Sequence, residues 1–143
     1  MAFTGDFMCT SFKVELMKGT HNFTLTTGNV FKIALYDNSA SFTAATTAYT
    51  VTNEIAGTAY SAGGGTLTNV TPISTGTTAF ADFADQVWST ATFTARGALI
   101  YNSTAGTNTV VVLDFGSDKT ATAGDFTVQF PVADSSTAII RIA

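Results

Sequence analysis

Long stretches of this chain alternate strictly between apolar and polar residues, and that period of two leaves little but β-structure open to it. Phe126, Val128 and Phe130 alternate with Thr127 and Gln129, and Pro131 closes the run. Residues 90–101 place Phe93, Ala95, Gly97, Leu99 and Tyr101 on one face, with Thr90, Thr92, Thr94 and Arg96 on the other. Successive strand side chains point to opposite faces, so such a segment buries one face and wets the other. The residue types agree. Threonine supplies 28 of 143 residues and phenylalanine 12, and both fit a pleated surface.

Further strands are expected at Phe31–Tyr36, around Tyr49 and Val51, and more weakly at 66–71 and 79–88. Val110–Phe115 reads as the hairpin partner of 90–101 across an Asn/Ser/Thr/Gly loop. Ala138–Ile142 reads as the last strand, and Ser61–Gly65 as a flexible turn. The one helical signature is early. Residues 11–18 hold helix-compatible charge, Thr10 or Ser11 stands as N-cap, and Gly19 stands at C′. The expected fold is all-β: an antiparallel β-sandwich or jelly roll of about eight short strands with one short N-terminal helix. Residues 1–20 form an N-terminal arm and short helix, and 21–143 the sandwich domain.

Only 11% of residues are charged, against roughly 25% in an average soluble domain. Six Lys and Arg with a net charge of −4 supply no cluster for phosphates, so nucleic acid is not an expected partner. No window approaches 18 uninterrupted apolar residues, so no membrane span is expected. Residues 1–6 do not read as a signal peptide, and one cysteine, Cys9, cannot form a disulfide within the chain.

Catalytic signals are sparse, and no catalytic residue, cofactor or metal is assigned. His21, the single histidine, follows the helix end and reads as a solvent-facing or capping residue. Cys9 reads as a buried small thiol. Asp114-Phe115-Gly116 matches a kinase magnesium triplet by letters alone and reads as a strand end entering a turn. Asp114, Asp118 and Asp125 bracket a loop that could take a cation. Asp82 and Asp85 could make a glycosidase pair, but on a strand their side chains diverge, which leaves one solvated and the other bonded to a turn. The sequons at Asn22, Asn69 and Asn102 follow from the abundance of threonine.

From residue 11 onward the chain resembles small structural proteins of tailed bacteriophages, some of them capsid decoration or cement proteins. The likeness is carried by Ser11-Phe12-Lys13-x-Glu15-Leu16-x-x-Gly19-x-His21-x-Phe23, Phe31-Lys32-Ile33-Ala34-Leu35-Tyr36, Tyr60-x-Ala62-Gly63-Gly64, Asp82-Phe83-Ala84-Asp85 and Trp88-Ser89-x-Ala91-Thr92. In the C-terminal third it is carried by Ala95-Arg96-Gly97-Ala98-Leu99-Ile100-Tyr101-Asn102, Asp114-Phe115-Gly116, Gly124-Asp125-Phe126-Thr127 and Ala138-Ile139-Ile140-Arg141-Ile142-Ala143. The resemblance implies a virion component made in the host cytoplasm. It would sit on the outer capsid surface as a homotrimer, with the major capsid protein and other copies of itself as partners. It carries over no functional residues. An alternative is a tail tube, tail tip or fibre module, with Trp88 and the tyrosines as a glycan-binding surface. A wall hydrolase using Asp82 and Asp85 is the third reading. Met1, Phe3, Phe7, Met8 and Phe12, together with Trp88, are the candidate subunit or shell contacts. The competing role for the N-terminal set is to cover the base of their own sandwich, and for Trp88 to fill its core.

Overall fold

The alternating segments become two antiparallel sheets in the computed structural model, which describes residues 3–143. The elements are β1 (Phe7–Met8), α1 (Thr10–Met17), β2 (Phe31–Tyr36), β3 (Gly65–Thr66), β4 (Asn69–Thr75), β5 (Thr78–Phe83), β6 (Gln86–Asn102), β7 (Asn108–Val128) and β8 (Ile140–Ile142). One sheet runs β1-β7-β6-β2-β3 and the other β4-β5-β8. The fold is thus an all-β sandwich of eight strands with one short helix. Two strands are long rather than short, at 17 and 21 residues.

The pairing of 90–101 with 110–115 is as expected, but it extends much further. β6 and β7 pair from Asn102↔Asn108 out to Gln86↔Val128. The register jumps between Gly97↔Asp114 and Ala95↔Lys119, so residues 115–118 bulge out of β7. Asp114-Phe115-Gly116 therefore lies within a bulged strand, with Gly116 at φ +77, and not at a strand end. Threonine lines the open face of this ribbon, and the Thr94 and Thr120 hydroxyls bond across the strands at 2.7 Å.

Phenylalanine builds the core. Phe31 of β2 and Phe83 of β5 meet at 5.6 Å and join the two sheets, while Phe23 stacks on Phe31 at 4.4 Å. Phe130 packs edge-on to Phe83, and Phe93, Phe126 and Trp88 form a second cluster under the outer ribbon. Such pairs add about 0.5–1.5 kcal/mol each beyond area burial.

The helix starts and ends for different reasons. Gly19 takes φ +71; its N–H donates to the Leu16 carbonyl, and that of Thr20 to the Glu15 carbonyl. That is a Schellman closure, with glycine at the position expected from the sequence. The N-cap, however, is Cys9, with no side-chain cap, not Thr10 or Ser11. Tertiary partners take over there, because the Cys9 and Thr10 N–H groups donate to the carbonyls of Val110 and Ala44.

Residues 37–64 differ most from expectation. No strand forms around Tyr49 and Val51; single bridges, Tyr36↔Glu54, Ala48↔Asn108 and Thr58↔Thr92, join the connection to the sheet, and Val51 is exposed. The Gly63–Gly65 run is not a free turn. At Gly64 (φ +74) a Cβ would collide with the Ile33 carbonyl, so glycine lets this backbone lie flat on β2 before β3 begins. At the chain's end only Ile140–Ile142 pairs with β5, a shorter strand than Ala138–Ile142.

From Phe3 onward the N-terminal segment packs on the body of the fold. β1 pairs with β7, Phe3 packs over Gly97, and Phe3, Cys9 and Phe12 are buried.

Candidate functional site

Two partly buried polar networks organise the molecule, each built around one of its two glutamates, Glu15 and Glu54. The first gathers all four tyrosines. Glu54 accepts from Tyr49 Oη at 2.6 Å, Tyr60 Oη at 2.6 Å and the Gly63 N–H at 2.7 Å. Tyr60 Oη in turn accepts from the Leu35 N–H at 2.9 Å. Tyr101 donates to the Gly63 carbonyl, Tyr36 to that of Thr50, and the Tyr49 and Tyr101 rings stack at 4.6 Å. The 37–64 connection, with no strand of its own, is fastened to β2 and β6 by these hydroxyls.

Burial, with the Glu54 charge next in order, pushes the phenol of Tyr101 up to about 12. Tyr36, Tyr49 and Tyr60 are raised for the same first cause, with Glu54 again contributing. The folded state therefore keeps phenol protons that the unfolded chain gives up near pH 10. Stability is full below pH 10 and falls as pH rises above it. Tyrosinate absorbance should appear in one cooperative step coincident with loss of circular dichroism. Independent titration near pH 10 with the fold intact would contradict this.

The second network overturns the expectation for His21. Its side chain is buried, not solvent-facing or capping. Nε2 lies 2.6 Å from Glu15 Oε2, and Nδ1 lies 3.0 Å from Asn102 Nδ2. Asn102 Oδ1 already accepts the Thr104 and Ala105 N–H groups, so its amide nitrogen must be the donor to Nδ1. The Nε2 proton therefore goes to Glu15. Asn102 Nδ2 also donates to Asn29 Oδ1, and Asn108 Nδ2 to Glu15 Oε1. The chain from Asn108 through Glu15, His21 and Asn102 to Asn29 ties helix, hairpin loop and the 21–29 loop together. Both imidazole nitrogens are committed to it. The lone histidine and the two glutamates were the only signals of these networks in the sequence; nothing there joined them.

The other candidates fall into place singly. Cys9 is buried and its thiol is raised chiefly by burial, which suppresses the reactive thiolate. Asp114 pairs with Arg96 at 3.2 Å, Asp125 accepts the Thr90 N–H, and Asp118 is exposed. Among the described residues no three His, Cys, Asp or Glu side chains gather where they could hold a metal ion, so the bracketing aspartates do not converge. Asp85 accepts the N–H of Phe130, 45 residues on and just past β7, and not that of a turn.

Asp82 is not solvated but 0% exposed, with Oδ1 on the Phe83 N–H and no partner for Oδ2. Burial raises its carboxyl most, partly offset by the bond from the Phe83 N–H. The fold thus holds this proton more tightly than the unfolded chain. That contribution is complete below the ordinary carboxyl value of 3.8 and is lost as pH climbs through the raised folded value. Asp82→Asn keeps the Oδ1 acceptor and cannot ionise. Thermal melts should show its stability relative to the parent improving between pH 4 and pH 7; a constant difference would refute the assignment.

The expected contact residues lie mostly inside. Phe3 and Phe12 are 1% and 0% exposed in their own core, because packing over Gly97 and against Phe23 consumes their area. Trp88 is 7% exposed, with Tyr60, Phe93 and Phe126 around it. Phe7 and Met8 are half-buried, and Met1 lies outside the described residues. Trp88, Tyr36 and Tyr101 are buried and present no surface for stacking a sugar. The open apolar surface is elsewhere, in a groove of about 160 Å³ between α1 and the small sheet. Leu16, Phe23, Pro72, Phe80, Ile140 and Ile142 line it. No protein-family model, curated protein or solved structure matches this chain.

Proposed function

We propose that this chain is a structural component of a tailed-phage virion. In this reading it is a capsid decoration protein that binds the major capsid protein lattice as a homotrimer and stabilises the head. The observation that carries the reading is the character of the surface. The open face of the β6–β7 ribbon is dominated by threonine hydroxyls, with Arg96 paired to Asp114, and the groove beside the small sheet is wholly apolar. Surfaces with few charges are cheap to desolvate, which favours permanent packing against other subunits. Since Phe3, Phe12 and Trp88 are spent on the core, the contact role passes to Ile73 and Ile142, 58% and 59% exposed, and to the groove beside them.

Counting copies per particle by quantitative mass spectrometry tests the proposal. Stoichiometry comparable to the major capsid protein is expected, with a trimer by light scattering. Ile73→Asp should reduce incorporation while leaving the purified chain folded. A few copies per particle, or immunogold label on the tail, would replace this reading with that of a tail module.

A further inference from the structure

The outer edge of β7 carries a groove that neither network explains. The N-terminal segment covers β7 from Val110, which accepts the Cys9 N–H, to Asp114, whose N–H goes to Asp6, and among the described residues the strand beyond has no pairing neighbour on that side. The strand is also bent, bulged at 115–118 and again near Ala123, which takes φ +47. Its two arms flank a groove of about 430 Å³. That is within the range of about 300–1,000 Å³ usual for small-ligand sites.

We propose that this groove is a binding site for a neutral saccharide. Phe115, Lys119, Asp125, Thr127 and Gln129 carry the argument. Phe115 is only half-buried, yet its ring is braced by Phe126 at 6.2 Å. It offers a fixed apolar surface for the C–H face of a pyranose. Lys119, Asp125, Thr127 and Gln129 are exposed around it. They supply a cationic donor, a carboxylate acceptor, a hydroxyl and an amide that donates and accepts. That mixture matches the alternating donor and acceptor array of sugar hydroxyls. Asp125 is oriented by its bond from the Thr90 N–H, so its direction is set before a ligand arrives. One cation beside one anion gives no preference for acidic sugars or phosphates.

An open edge also suggests an added peptide strand, but the edge is interrupted. Strand addition needs a regular row of N–H and C=O groups, and bulges break that row. Here they do so at 115–118 and near 123, leaving only a short run up to Val128. A compact polar ligand fits what remains.

The experiment uses the full chain on an array of neutral and acidic oligosaccharides, followed by saturation-transfer NMR with glucose, galactose, mannose and N-acetylglucosamine oligomers. At least one neutral oligosaccharide should bind. Gln129→Ala and Lys119→Ala, both at exposed positions, should each weaken it at least ten-fold with unchanged melting, whereas Ile73→Ser should leave it unchanged. Absence of saturation transfer at millimolar sugar, binding indifferent to the groove variants, or selective capture of extended peptides by this edge would overturn the proposal. Particle stoichiometry is unaffected by any of these outcomes, so this inference and the virion reading fail separately.

Discussion

Replacing Glu54 by alanine is expected to be among the most damaging single changes in the chain. It strips the acceptor from two tyrosine hydroxyls and one backbone N–H together. An unsatisfied buried polar group costs about 1–3 kcal/mol, and water reaches part of this half-buried site. A loss of about 3 kcal/mol follows, which for a domain of this size lowers the melting temperature by roughly 10 °C. Glu54→Gln keeps two acceptor lone pairs and the side-chain shape, and the hydroxyls can turn to accept from its amide, so about half that loss is expected. Urea denaturation gives both values. Hydrogen exchange should locate the effect at Leu35 and Gly63, whose N–H groups belong to the network. A Glu54→Ala chain as stable as the parent would show that the 37–64 connection is held by packing alone.

Asn102→Ala should be of similar size for a different reason. The residue is fully buried and makes four bonds, accepting from Thr104 and Ala105 and donating to His21 and Asn29. Alanine leaves two backbone donors and an imidazole nitrogen without partners, while Asn29 Oδ1 keeps the Asn22 N–H, for a loss of about 3 kcal/mol. Asn108→Ala removes a single bond to Glu15 from a less buried position and should cost about 1 kcal/mol. The comparison separates a network from a sum of contacts. If the two variants melt together, the His21 chain is not the fastening described here. Faster exchange at Thr104 and Ala105 in the Asn102→Ala chain would confirm where the support was lost.

These two effects are large because the chain spends its few glutamates and its one histidine inside. Low charge content leaves the surface to threonine. Where loops must be fixed without strand pairing, the scarce strong hydrogen-bonding groups are concentrated there instead. Charge-assisted bonds are roughly twice as strong as neutral ones, and more so where water is partly excluded.

The sequence by itself determined the local order of the fold. The period of two marked the buried face in the outer halves of β6 and β7, because alternation is a property of the strand backbone and needs no partner to be read; along 97–102 and 109–112 both faces are buried, which the alternation did not foretell. Phe126, Val128 and Phe130 point inward and Thr127 outward, as the pattern requires. Gly19 at the helix end was legible for the same reason, since a left-handed C′ position is a local demand. What only the tertiary structure decided depends on residues far apart in the chain. Trp88, Phe3 and Phe12 are core and not contact surface because distant aromatic rings meet them. His21 is buried because Glu15, six residues before it, and Asn102, eighty-one after it, each supply a partner. The Tyr49–Val51 segment alternates like a strand and is none: the chain there touches the start of β7 through the single bridge Ala48↔Asn108, while the β2 edge beyond β3 is met at Tyr36 by Glu54. Its backbone is held by bonds to distant residues, from the Tyr49 N–H to the Thr107 carbonyl and from the Tyr36 hydroxyl to the Thr50 carbonyl, a long-range solution that no local pattern encodes.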